Sequence, residues 1–299
     1  MENVDANIPK TSTEPVLVAP KWTEVIPSPG VRTNKLIQEN PNLGRLEPIR
    51  ILENLKPDSD TGIVLFPGGL DSGTEDEALK WGDELGVSVF HIKYPIDSSF
   101  SIDREVTQII DHMQEKGINN YKIMTGSWGG IPALRTAYNL LKEDGVNIDC
   151  FVGVATALQP TDFTPMVKAA GVASAQILTL TRGFEFPRRQ LMARIAMGVH
   201  DVSYDDPVLI DKIKQIPILL LVPPGSEDWW VNAKKSYERY FPNATKIEYP
   251  AYSNFVGKIK TIGGHDSRGL LPEIQQIERN FLLSHKVDTV LPSGFQLLK

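Results

Sequence analysis

Tyr121-Lys-Ile-Met-Thr125-Gly-Ser127-Trp-Gly-Gly130 is the stretch on which the reading of this chain turns. Tyr121 to Met124 read as a buried strand, small residues make a sharp turn, and a helical pattern begins at Ile131. A strand that turns so abruptly into a helix lifts the turn residue out of the sheet edge. The Ser127 hydroxyl is therefore expected at the carboxyl ends of the strands, where a nucleophile can be reached. Such a turn drives serine toward positive φ and needs small neighbours two residues away on either side. Thr125 and Gly129 stand there, and threonine is larger than the glycine usual at the first of these positions.

Outward from this turn, short apolar runs alternate with amphipathic patterns. Strands are expected at Ile63–Phe66, Val87–Ile92, Phe151–Val154, Ile218–Val222 and Lys246–Tyr249, the last of these closing the series, with Pro48–Leu52 as a first edge strand. Between them, helical spacing joins Ala78, Trp81 and Leu85. It also joins Val106, Ile109, Ile110 and Met113, with Ser101 as N-cap. Further helices are marked by Ile131, Leu134, Tyr138 and Leu141, by Ala233, Tyr237, Tyr240 and Phe241, and by Ile274, Ile277 and Phe281. This alternation predicts an α/β domain with a mostly parallel sheet and helices on both faces. Residues 1–45, polar and rich in Pro, Asn and Thr, read as an extended N-terminal arm, and residues 46–299 as the domain. The rhythm breaks over about 158–214, where aliphatic residues mix with Arg182, Arg188, Arg189 and Arg194. That stretch reads as a helical lid or cap insertion over the carboxyl end of the sheet.

Composition narrows the classes. A net charge of −6 offers no basic field to gather phosphates, so nucleic acid is not the expected partner. One cysteine, Cys150, rules out a disulfide framework and any multi-cysteine metal site, and its apolar neighbours mark it as a small buried hydrophobe. The first twenty residues lack the apolar core of a signal peptide, and no apolar run approaches the ~20 residues of a membrane span, so a cytoplasmic location is the default expectation.

A serine nucleophile needs a base near neutral pKa, and the base needs an acid to orient it. His91 falls within a strand, His112 in a helix pattern, His200 in the insertion and His285 beyond the last helix pattern. His265, in Ile262-Gly-Gly-His265, follows the last predicted strand and precedes the last helix, the setting of a catalytic base. The acid should follow a late strand. Asp228, in Pro223-Pro-Gly-Ser-Glu-Asp228, is the choice, with Glu227, Asp162 and Asp266 as rivals and a helix N-cap as its plain role. The glycine loop Pro67-Gly-Gly69-Leu70 leaves the first central strand. Gly69 and Trp128 would supply the two backbone N–H groups of an oxyanion hole, worth about 3–4 kcal/mol of barrier for each donor lost. A phosphate site at this loop would need a glycine signature that is not in the chain.

With these residues in place the chain resembles the α/β-hydrolase superfamily. The resemblance rests on Pro67-Gly-Gly69, Thr125-Gly-Ser127-Trp-Gly129, Asp228 and Gly264-His265 in that order, and covers about residues 47–285. It implies a sheet of about eight strands and a Ser127–His265–Asp228 triad that cleaves a carboxylic ester or thioester through an acyl-enzyme, with no metal or organic cofactor. The partner implied is a small acyl substrate. An acyltransferase on the same triad, or a non-catalytic binding protein on the same fold, are the alternatives. Pro67 stands where many members carry histidine, and Thr125 replaces the first small glycine.

Overall fold

The structure, a computed structural model, describes residues 21–68, 74–94, 101–165, 203–224, 231–250, 254–256, 259–261 and 271–298. Nine strands form one sheet. In chain order they are β1 (Thr23–Val25), β2 (Arg50–Asn54), β3 (Thr61–Phe66), β4 (Ser88–Lys93), β5 (Asn120–Gly126), β6 (Asn147–Val154), β7 (Ile218–Val222), β8 (Thr245–Glu248) and, late in the chain, Gln296–Leu298. Two three-residue strands, β9 (Asn254–Val256) and β10 (Ile259–Thr261), pair with each other apart from it, so Gln296–Leu298 is β11. The spatial order is β1-β2-β4-β3-β5-β6-β7-β8-β11. The pairs from β4 to β8 are all parallel, while β1, β2 and β11 join antiparallel.

The parallel strands β3 to β7 are buried on both faces because both are covered, while β8 buries only Ile247. In β3, Val64 and Phe66 enter a core shared with α3 (Ile102–Glu115) and α4 (Gly130–Leu140), while Ile63 and Leu65 enter one shared with α2 (Thr74–Leu85) and the late helix Pro272–Ser284. The predicted stripe Val106, Ile109, Ile110 and Met113 is buried on α3, and Ser101 caps it by accepting from the Arg104 N–H. Pro207–Gln215 forms α5, which sinks Leu209 and Ile213 into the core beside α4 and leads directly into β7. Lys234–Tyr240 is α6, and Pro272–Ser284, with Ile274, Ile277 and Phe281 buried, is α7.

Three details differ from the sequence reading. The strand near Pro48 is Arg50–Asn54, and it is not the edge, since Thr23–Val25 pairs outside it. Lys246–Tyr249 does not close the series, because β11 pairs with β8 on its far side. Within the expected arm, residues 31–39 coil into α1 (Val31–Glu39), which hides one side chain, Thr33, and docks through charge. The segment read as a lid carries core-packed elements at both ends: a turn at Pro160–Asp162 and α5. Residues 166–202 between them lie outside the described residues. No helix among the described residues is long and apolar enough to cross a membrane.

Candidate active site

β5 runs to Gly126, and Ser127 opens a single 3-10 turn, Ser127–Gly129, that passes straight into α4. Ser127 has φ 49°, in the left-handed region that a non-glycine residue occupies at a cost of about 1–2 kcal/mol. That strain sits on the one residue whose side chain must be turned out of the sheet.

What holds the turn is absence of side chains. A Cβ at Gly129 would lie 2.2 Å from the Phe66 carbonyl oxygen and 2.6 Å from that of Pro67, so the end of β3 presses directly on the elbow. A Cβ at Gly130 would lie 2.0 Å from Thr156 Cγ2 and 2.3 Å from the Ala157 carbonyl oxygen, so the loop after β6 presses from the other side. Gly68 packs on Ser127 itself, since a Cβ there would stand 2.8 Å from Ser127 Cβ. Ser127 is thus wedged between the exits of β3 and β6, and the Ala157 N–H closes the wedge on the Ser127 carbonyl at 2.9 Å. Thr125, at the position where the sequence pattern is loosest, is fully buried in β5 opposite Phe66 and Gly153.

Trp128 follows Ser127. Its N–H belongs to the first turn of the helical segment, the end whose amides carry the positive end of the dipole. Its indole is buried edge-on against Tyr94, with centroids 4.8 Å apart, which fixes the backbone that would present the amide. Of the other predicted site residues, Gly69, Asp228 and His265 lie outside the described residues, as do Glu227 and Asp266.

Asp162, a rival for the acid, is described, and its carboxylate is engaged in bracing. One oxygen accepts from the Leu158 and Gln159 N–H groups at 2.8 and 2.9 Å, and the other from the Ser236 hydroxyl at 2.6 Å. The remaining described histidines are built into the fold. His91 is buried in β4, His112 meets Glu53 at 2.7 Å in the interior, and His285 caps α7 with φ 55° and meets Asp149 at 3.1 Å.

Asp149, Cys150 and His285 come together as metal-ligating residue types near the amino ends of β5 and β6, away from the elbow. The Lys122 ammonium already donates to the Asp149 carboxylate and to the Leu282 carbonyl. Burial pushes the Cys150 thiol up to about 12, so this cluster is an ion pair that ties α7 to the sheet. Beyond the elbow, toward β8, a cavity of about 450 Å³ opens at the carboxyl ends of β6, β7 and β8, walled by Ala155, Val222, Val231, Tyr237, Lys234 and Lys246. Ala155 at its floor is a second strained residue, with φ 46°. Sequence reasoning did not find this position, because an isolated alanine carries no conformational signal.

No family model matches the sequence, and no curated protein matches it. Solved structures do match over most of the chain. A carboxylesterase from the ammonia-oxidizing thaumarchaeon Nitrososphaera gargenis has TM-score 0.59 at 12% identity, covering 80% of this chain and 95% of its own. An α/β-hydrolase enzyme from a Medee basin deep-sea metagenome library has TM-score 0.55 at 16% identity, covering 81% and 96%. An esterase of Pyrococcus furiosus has TM-score 0.50 at 11% identity, covering 88% and 90%. At these identities the likeness is one of fold, and the fold is that of the α/β hydrolases.

Proposed function

We propose that this α/β-hydrolase-fold chain is a serine hydrolase that cleaves a carboxylic ester or thioester through an acyl-enzyme. The observation that carries the reading is Ser127 at φ 49° on an elbow packed by Gly68, Gly129 and Gly130 at the carboxyl end of β5. Fold alone is silent on activity, and a strained, exactingly packed serine is what a nucleophile requires and a scaffold does not.

In this reading the Ser127 hydroxyl attacks the carbonyl carbon as His265 takes its proton. The oxyanion is held by the N–H groups of Trp128 and Gly69. His265 returns the proton to the departing alkoxide or thiolate as the C–O or C–S bond breaks, leaving the Ser127 acyl ester. Water, deprotonated by His265, attacks that ester and releases the acid and Ser127. Asp228 orients the imidazole and stabilises its charged form. Residues 166–202, within the proposed lid, would set which acyl group is accepted.

The test is a fluorophosphonate probe with a panel of p-nitrophenyl esters and acyl-thioesters. Wild type should be labelled and Ser127→Ala should not. Ser127→Ala and His265→Ala should lose turnover to comparable extents, because the two act as a unit. Absence of labelling in wild type would point to a non-catalytic protein on this fold. A labelled enzyme that consumes ester only with an alcohol or amine acceptor would be an acyltransferase.

A further inference from the structure

The loop after β6 does more than cover the elbow. At its start, Ala157 holds the Ser127 carbonyl, and Thr156 and Ala157 pack on Gly130. The Thr156 carbonyl accepts from the Tyr237 hydroxyl of α6, and Gln159 Nε2 donates to the Tyr240 hydroxyl of the same helix at 3.0 Å. At its end, Asp162 turns the loop through a reciprocal capping box with Gln159. It then reaches across the sheet edge. The Asp162 carboxylate accepts from Ser236 on α6, and its carbonyl accepts the Asn232 N–H at 2.7 Å. Phe163 continues the contact as a bridge with Val231. One short segment thus grips the nucleophile's backbone at one end and residues 231–236 at the other. Val231 lies three residues after Asp228 in the sequence.

We propose that Asp162 is a positioning residue that couples the Ser127 elbow to the segment carrying the catalytic acid. The proposal rests on the serine-hydrolase reading above. Asp162 is buried, and three donors on its carboxylate among the described residues, the Leu158 and Gln159 N–H groups and the Ser236 hydroxyl, belong to the two segments being joined. Removing it would strip the partners from two buried amides and a buried hydroxyl and free residues 231–236 to shift relative to Ser127. The chemistry at Ser127 depends on the relative placement of groups from different strands, and a misplacement of about 1 Å lowers turnover about 100-fold. Substrate binding in a pocket built elsewhere would change little.

The experiment compares wild type, Asp162→Ala and Asp162→Asn, with the concentration of functional sites titrated by fluorophosphonate. Asparagine keeps one oxygen for the two amides and offers an N–H₂ to Ser236, so it preserves the brace without the charge. Asp162→Ala should lose about 10–100-fold in kcat per titrated site, with KM within about threefold, and Asp162→Asn should recover most of that loss. A lower yield of titratable sites with unchanged kcat per site would overturn the proposal, since it would make Asp162 merely structural. A loss in Asp162→Asn as deep as in Asp162→Ala would overturn it differently, because it would make the charge itself essential and Asp162 the acid. Wild type that takes no label would overturn the hydrolase reading and this proposal with it, whereas labelled wild type with either of the other outcomes would sink this proposal alone.

Discussion

The elbow after β5 and the contact between α1 and α3 are held by different means. At the elbow, three backbones meet because Gly68, Gly129 and Gly130 have no side chains to keep them apart, with oxygens where a Cβ would have to go. At α1, charges do the joining. Asp111 of α3 accepts from the Thr33 N–H and hydroxyl at 2.9 and 2.8 Å, and Arg32 spans from Asp111 to Glu143 at 3.0 and 2.7 Å. Nearby, Glu53 of β2 meets His112 of α3. The elbow fails if a side chain is added; the α1 contact, where a Cβ at Gly30 would also stand 2.5 Å from Asp111 Cγ, fails in addition if a charge is taken away. The first sets geometry to a fraction of an ångström around Ser127, while the second fastens a peripheral helix to the domain.

The sharpest way to break this contrast is to add one carbon at the elbow. In Gly129→Ala the new methyl would stand 2.2 Å from the Phe66 carbonyl oxygen, and neither backbone has a flexible end that could give way. We expect a stability loss of about 1–3 kcal/mol, the scale of overpacking. We expect a turnover loss of about 100-fold or more per folded molecule, because the wedge around Ser127 must open. Urea denaturation and ester turnover measure the two. Wild-type values in both would show that the elbow has slack and that the close approaches do not matter.

The matching subtraction is Asp111→Ala. It leaves the Thr33 N–H and hydroxyl buried with their acceptor gone, at about 1–3 kcal/mol for each unsatisfied group, so we expect about 2–6 kcal/mol lost in urea denaturation. Arg32→Ala should cost less, under about 1 kcal/mol, because its guanidinium is partly in water and the pair is screened. Turnover per folded molecule should stay within about twofold in both variants, since α1 packs chiefly on α3 and the short turn that follows it. A large drop in turnover for Asp111→Ala would erase the contrast and make α1 part of the active site's support.

The same contrast explains what the sequence could disclose. The elbow is local: strand, small residues and helix follow one another within ten positions, so Tyr121–Gly130 announces it. The parallel strands β3 to β7 announce themselves too, as runs buried on both faces. β1 and β11 do not. Each has three residues and half-exposed or exposed side chains, and joins the sheet through backbone pairing, which leaves no periodic mark. α1 hides because it buries a threonine, not an apolar stripe, and its partner Asp111 lies 78 positions away. Asp162 shows the same limit at the site. Its place after β6 made it a rival acid on paper, and only the position of Ser236, 74 residues on, reveals the brace. Asp228 and His265 rest on their order along the chain alone, and both lie outside the described residues.

A third junction tests the lesson at its weakest point. At the amino edge of the sheet, α7 is tied down by the Lys122–Asp149 ion pair, with His285, about a third exposed, also meeting Asp149. Burial works to raise the Asp149 pKa, but the hydrogen bond and charge of Lys122, with His285 adding to them, outweigh it and hold the carboxyl below its usual value. A carboxyl whose pKa is lower folded than unfolded contributes stability above its unfolded value, near 3.9, and that contribution disappears as pH falls through the folded value. The wild-type urea midpoint should therefore fall more steeply below about pH 4 than that of Asp149→Asn, whose amide cannot titrate. The gap between the two at pH 7 should be smaller than that produced by Asp111→Ala, because solvent around His285 weakens the pairing, and it should close as the pH approaches 2. Parallel curves down to pH 2 would mean that Asp149 titrates alike in both states, and that packing of Ile277 and Phe281, not this charge cluster, holds α7 in place.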